Sequence, residues 1–400
     1  MNVLFVTPNL NWPLSHGAAI RKWNILQGLL SVGPVDVVVC GGEDGVGDNL
    51  AYSRCNRVFF IGPEIYNESE EQKRSRESTA ERVLGAICSK FPYAFIRGDM
   101  RSARSKFREF LGVNQYSLVW VETLRCGIFL DVVNCVSAKH IVLDGDDFSW
   151  KRDFSVLRGT RWYGAKIFEY VDVLKMRYWE MQCAGKYSYV ARCSREDAIR
   201  QGKKNVIVIE NGTNVPNVVR RRVEARAIFV GLLSYEPNRI GVEWFISRVW
   251  PKIFRKCPEA IFDVVGMNPS QEIMAANGRD GIRVHGFVSD LGELYERAAL
   301  SVVPLHAGGG TRLKILEAIG RAVPVVSTTI GAYGIPLSEF HGLIRRDGEG
   351  AFAAACVDIL VQSQDEAQQA AESGRKAVIE RFDWREVQKF VTEFARGLAV

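Results

Sequence analysis

The stretch HAGGGTRLKILEAIGRAVPVVST, His306–Thr328, sets Gly308, Gly309 and Gly310 ahead of Thr311, Arg312 and Lys314. Cations in the first turn of a helix oppose the macrodipole, whose positive end lies there. A bound anion removes the conflict. Glycines let a ligand come close to the backbone and its N–H groups, and a helix N-terminus adds unsatisfied donors that suit phosphate. Arg312 and Lys314 then supply charge to that anion. Glu317, one turn beyond Lys314, is placed to accept hydrogen bonds from sugar hydroxyls, as acidic residues do in dinucleotide sites. The blander reading is a flexible glycine loop followed by solvated cations. The register of strand, glycines, two cations and glutamate favours binding.

A second constellation is LDGDDFSW, which ends an apolar run with Asp144, Asp146 and Asp147. Three carboxylates so close raise one another's pKa. Such a group suits orienting or deprotonating a hydroxyl, contacting a sugar, or capping a turn. Metal ligation by this trio is the weaker option. Nine cysteines without a CxxC pair read as small apolar residues in a reducing compartment, and five dispersed histidines without HExxH give no metal motif. No metal or other cofactor is expected.

The elements that must position these groups repeat one scheme. NVLFVTP, a polar loop, the helical pattern IRKWNILQGLL and then VDVVVCGG open a doubly wound parallel sheet. SLVWVET and KHIVLDG continue it. AIFVGLL, AIFDVVG, IRVHGF, LSVVPL and VPVVST form a second series, with RIGVEWFISRVWPKIF and DLGELYERAA as intervening helices. Ligands sit beyond the carboxyl ends of such strands. Four hundred residues exceed one ordinary core, and the linker-like NGTNVPNVVRRRVEAR divides the series. The charged NESEEQKRSRESTAERV reads as a loop or exposed helix. A net charge of +6 tolerates an anionic ligand or surface without the dense basic patches of nucleic-acid binders. With no basic n-region at the start and no run of eighteen apolar residues, a cytoplasmic protein is expected.

GGGTRLKILEAIGRAVPVVST, taken with FVGLLSYEPNRIGVEWF and HGFVSDLGELYERAALSVVPL, resembles the retaining glycosyltransferases of family four. The likeness is strong from about Ile228 to Ile335 and looser over the N-terminal half. It implies the α/β GT-B fold: two Rossmann-like, doubly wound parallel-sheet domains facing a cleft. Residues 1–215 would form the acceptor domain and 216–382 the nucleotide-sugar domain, with 383–400 as a helix crossing back. The reaction implied moves a sugar from a nucleotide diphosphate to a glycan or lipid-linked acceptor hydroxyl, with retention and without a metal. It would serve glycan, polysaccharide or glycolipid biosynthesis.

By that resemblance Glu317 contacts the donor ribose, Gly231 packs near the diphosphate as a backbone donor, and Phe287 and Val288 lie near the base, although Phe287 also fits a core position. The acidic residue usual eight places before Glu317 is Gly309 here, a departure shared with a subgroup carrying Gly-Gly-Gly-Thr-Arg-Leu-Lys. The basic pair usual after Gly231 is replaced by Leu232 and Pro237-Asn238, so Arg312 and Lys314 are the substitutes. Gly17 matches the glycine-containing loop after strand one, with His16 beside it as an acceptor contact or a plain loop residue. Asp146 stands where some relatives carry a histidine close to the sugar, flanked by Asp144 and Asp147. Asn211 and Gly212 match the interdomain turn. Rival readings are a nucleotide-sugar 2-epimerase of the same fold and an inactive nucleotide- or glycan-binding protein. An NAD enzyme is disfavoured, because no GxGxxG follows the first strand.

The segment Trp150–Lys186 is rich in cations and aromatics. It fits a peripheral contact with the inner face of a membrane, or an amphipathic core helix with a solvated basic face.

Overall fold

A computed structural model of the chain describes residues 1–9, 17–42, 52–62, 89–96, 98–159, 164, 166–217, 223–307, 312–335, 340–362 and 364–398. His16, Gly308–Thr311, most of the arginine-rich linker and the charged segment after Asn67 lie outside the described residues. Two compact units result, Met1–Glu210 with Val387–Val400, and Asn211–Glu386.

The first unit holds seven strands: β1 Val3–Thr7, β2 Val35–Val39, β3 Arg57–Phe60, β4 Tyr116–Glu122, β5 Ala138–Asp144, β6 Tyr189–Arg192 and β7 Val206–Val208. They pair in parallel in the order 3-2-1-4-5-6-7, so the order reverses between β1 and β4. β1 and β2 are buried along their whole length, as a sheet covered on both faces requires. Asp36 in β2 is tolerated there because Arg57, Asn56 and the Tyr116 hydroxyl all donate to its carboxylate. The last helix, Trp384–Gly397, lays its later residues on the helix Gly17–Leu30. Gln388 donates to the Asn24 side-chain oxygen at 2.6 Å, the Thr392 hydroxyl to the Gly28 carbonyl at 2.9 Å, and Val391 comes so close that a Cβ on Gly28 would stand 3.0 Å from it.

The second unit repeats the plan with β8 Arg226–Val230, β9 Ile261–Val265, β10 Ile282–Gly286, β11 Leu300–Val303, β12 Val325–Ser327 and β13 Leu343–Arg345. Their parallel order is 10-9-8-11-12-13, and the reversal falls between β8 and β11. The expected helix RIGVEWFISRVWPKIF is one helical run from Glu236 to Lys256, with a wide turn at Phe245–Val249. That turn ends two residues before Pro251, whose ring lacks an N–H and crowds the carbonyl four residues back, inside the turn. Within this unit Gly212 faces Trp384, where a Cβ would stand 2.8 Å from the indole, and Thr213 pairs with Asp383.

Trp250 anchors the second core. It is 1% exposed, lies 5.3 Å from Phe262 and 6.2 Å from Phe245 between ring centroids, and donates its indole N–H to the Asp280 carbonyl at 2.7 Å. Replacing so large a buried ring leaves a cavity that neighbours fill only in part, so Trp250→Ala is expected to cost about 3–5 kcal/mol. Urea unfolding of the variant measures it, and a loss below about 1 kcal/mol would show that Trp250 does not organise this core.

Candidate functional site

In the first unit, the carboxyl ends of β1, β4 and β5 converge on two cations of the following helix. Arg21 is 3% exposed. It donates through Nη2 to Asp144 at 2.9 Å and through Nη1 to the Ile209 carbonyl at 2.8 Å, and its Nε lies 3.8 Å from Asp146. Burial works against its charge, but the Asp144 and Asp146 carboxylates more than offset that and hold the proton tightly. The aspartates expected to strain one another therefore share a guanidinium. Asp144 is buried by the pairing, whereas the Asp146 side chain stays 37% exposed. Asp146 adopts a left-handed backbone, φ 44°, and its carbonyl accepts from the Cys193 N–H at 2.9 Å. Asp147 is held through its backbone carbonyl, which accepts from Arg192 at 3.2 Å.

Beside this cluster stands Glu122, the last residue of β4 and 7% exposed. The Thr7 hydroxyl donates to its Oε2 at 2.6 Å and the Lys22 ammonium lies 3.7 Å from the same oxygen. Lys22 donates in turn to the Asn9 carbonyl at 2.7 Å. Burial pushes Glu122 up to about 7, against the pull of Lys22 and Thr7. The sequence reading did not single out Glu122, Arg21 or Lys22. The strand-end rule pointed to Glu122, because it closes the run SLVWVE. Arg21 and Lys22 gave no such signal, since IRKWN reads as the solvated face of an amphipathic helix. Gly17 opens that helix.

In the second unit the corresponding strand ends carry Gly231 after β8 and His306 after β11. Gly231 leaves room for two neighbours at once: a Cβ there would stand 2.9 Å from both the Lys314 ammonium and the Asn238 amide nitrogen. Its N–H donates to the Val265 carbonyl at 3.0 Å, so the expected backbone donor to a diphosphate is already committed to the sheet. Lys314 donates to Asn238 Oδ1 at 2.7 Å and lies 4.2 Å from the centroid of the Phe229 ring. Asn238 is fixed by donating its own N–H to the Leu232 carbonyl at 2.8 Å. The end of β9 comes closer still, since a Cβ on Gly266, the next residue, would fall 1.8 Å from the Gly231 carbonyl. Arg312 is the N-cap of the helix Leu313–Gly320 rather than part of its first turn, and it is buried with Nη2 3.5 Å from the Ile330 carbonyl. Burial, and then the nearby Arg312 charge, push Lys314 down to about 7, while Glu317 works the other way.

Glu317 is partly buried on the same helix, its carboxylate 3.9 Å from Arg321, and burial raises its pKa. His306 packs edge-on to Trp244 at 4.6 Å, and burial lowers its pKa. Phe287 is 60% exposed and so is not a core side chain, whereas Val288 packs against the core. Thus Gly231, Arg312, Lys314 and Glu317 come together in one unit, and Asp144 and Asp146 in the other. His16 and the Gly308–Thr311 element lie outside the described residues.

The raised Glu122 carries a stability consequence. Its proton is held more tightly in the folded chain than in the unfolded one, so its contribution is complete below about 4.5 and is lost as pH rises to about 7. Glu122→Gln keeps an acceptor for Thr7 and removes the titration. The variant is expected to gain on the order of 2–3 kcal/mol relative to the parent between pH 4.5 and pH 8, read from urea melts at both values. Parallel pH profiles for the two proteins would rule the effect out.

Residues 224–362 match the family model described as "Glycosyl transferases group 1". An uncharacterised 44.6 kDa protein in the cps region of Klebsiella pneumoniae is 21% identical over 308 residues, which cover 70% of this chain and 78% of that protein. Among solved structures, sucrose-phosphate synthase from Thermosynechococcus elongatus aligns at a TM-score of 0.71 with 15% identity, over 100% of this chain and 99% of that one. Anabaena HepE in complex with UDP aligns at 0.67 with 14% identity, over 99% and 100%. TarM aligns at 0.66 with 11% identity, over 100% and 98%. The two Rossmann-like parallel-sheet units are those of the GT-B fold, and the matched stretch from 224 to 362 lies wholly in the second of them.

Proposed function

We propose that this chain is a retaining glycosyltransferase. It takes a sugar from a nucleotide-diphosphate donor and delivers it to the hydroxyl of a glycan or lipid-linked acceptor, in glycan, polysaccharide or glycolipid biosynthesis. The observation that carries the reading is the seat of Lys314: a cation with a neutral amide as its hydrogen-bond partner, held against Gly231 at a sheet switch point. Such an arrangement is one anionic group short of neutrality, and a diphosphate supplies it. The family match over 224–362 supports the reading, as does the likeness to HepE, whose structures include complexes with UDP and with UDP-glucose.

In this mechanism the nucleoside diphosphate leaves as negative charge builds on it. Arg312, Lys314 and the N-terminus of the helix Leu313–Gly320 stabilise that charge without moving, and the Gly308–Gly310 amides are assigned the same task. Glu317 accepts from the ribose, and Phe287 and Val288 offer an apolar surface to the base. Asp146, whose carboxylate is exposed while Arg21 fixes Asp144 behind it, orients the acceptor hydroxyl or contacts the donor sugar. His16 and Asp147 are assigned to the same side.

Because burial and Arg312 push Lys314 down to about 7, an anion beside it must raise its pKa and binding must take up a proton. The affinity for UDP-glucose, whose diphosphate diester does not titrate there, should fall about tenfold per pH unit above about 7. Calorimetry in buffers of different ionisation enthalpy reads both the affinity and the proton uptake. A flat profile would place Lys314 away from the anion.

Lys314→Ala is expected to weaken donor binding about 10–100-fold. A thermal-shift screen across nucleoside diphosphates and their sugars identifies the donor to use, since a ligand of the folded state raises the melting temperature. Transfer to an added acceptor with retained configuration then completes the test. Conversion of the donor sugar without any acceptor, or nucleotide binding with neither transfer nor hydrolysis, would overturn the assignment.

A further inference from the structure

We infer that the first unit docks on an anionic phospholipid surface through the outward face of the helix Lys166–Gln182. This inference stands on that unit alone and adds to the proposed activity a place where a lipid-linked acceptor is met. Ile167, Val171, Leu174 and Tyr178 follow one another at intervals of four, three and four residues, which aligns them on one stripe. They are 53%, 37%, 61% and 61% exposed. The same helix already buries Val173 and Met176 on its inner side, so its packing need is met and the outer side is expected to be polar. It is apolar instead. Phe154, 41% exposed on the helix Ser149–Gly159, extends the patch by meeting Tyr170 edge-on at 6.0 Å.

The exposed charges beside the stripe are positive, while the acids Asp153 and Glu169 are half-buried. Asp172 is turned inward, where it accepts from the Tyr93 N–H at 3.0 Å, and Glu180 is buried against the Ser149 and Trp150 N–H groups. Arg158, Arg177 and Lys186 remain exposed. Arg177 lies 5.3 Å from the Trp150 ring centroid and Lys186 4.2 Å from that of Trp179, so aromatic faces hold these cations beside the stripe. Apolar side chains with Tyr and Trp, rimmed by cations, match the interface of an anionic bilayer. A second copy of the chain on this face would set like charges opposite one another. No described helix is long and apolar enough to cross a membrane, so the contact is peripheral.

The experiment floats the full-length protein with vesicles of phosphatidylcholine alone, or of phosphatidylcholine with phosphatidylglycerol, at low and high salt. Binding is expected to the phosphatidylglycerol vesicles, weaker at high salt because surface attraction is screened. Leu174→Gln with Tyr178→Gln should reduce partitioning about tenfold or more. Arg177→Gln, a separate variant that leaves the apolar stripe intact, should reduce it severalfold and flatten the salt dependence. Failure of the parent to bind these vesicles, or equal binding by the parent and both variants, overturns the inference. So does a dimer in solution that the double variant dissolves while vesicles are ignored. A nucleotide thermal shift on the same preparations separates the two readings, because a protein that binds nucleotide and ignores vesicles refutes only the docking.

Discussion

An ammonium buried at the end of a parallel sheet has to be accommodated, and the second unit is arranged around that requirement. Gly231 has no side chain, so the Lys314 Nζ can occupy the space one would take. Asn238 replaces a carboxylate as acceptor, and the Phe229 ring offers its negative face below. Burial and the nearby Arg312 charge outweigh the pull of Glu317, so the proton on Lys314 is held loosely. Gly266 completes the arrangement by letting β9 approach the Gly231 carbonyl more closely than any side chain would permit. The two glycines are what let the lysine and β9 come this close.

The first unit solves the same problem in the opposite way. There the strand ends carry carboxylates, and the helix after β1 brings Arg21 and Lys22 to neutralise them. Asp144 and Arg21 are fully matched, which makes them a fixed support rather than a reactive pair. Glu122 is matched less well, with a neutral hydroxyl closer than its cation, and it is the acid of this group whose proton is held near neutrality. One switch point is thus short of negative charge and the other carries a surplus proton. Unequal matching of this kind separates groups that hold a site rigid from groups that respond to what enters it.

Much of the fold was legible because parallel strands covered on both faces must be continuous apolar runs. VLFVT, VDVVV, SLVWVE and the five strands expected in the second half are all strands in the structure. RVFF, YVAR, VIV and LIR were not legible, since runs of only three or four residues, three of them with a charged end, resemble loop sequence, and three of the four are edge strands. At the candidate site, the cations after the glycines were legible from their conflict with the helix dipole. Asn238 registered only as a residue in place of an expected lysine. Its role depends on Lys314, 76 residues away. Arg21 is buried because Asp144 reaches it across 123 residues, and no local periodicity encodes such a meeting.

The left-handed backbone at Asp146 bears on which residues can stand there at all. A side chain in that conformation normally crowds its own carbonyl, and aspartate, asparagine and histidine are the non-glycine residues that tolerate it best. The aspartate here and the histidine that the resemblance leads one to expect therefore both belong to the short set that the turn permits. What chemistry this position can offer is filtered first by backbone geometry, and an exchange of aspartate for histidine needs no change in the path of the chain.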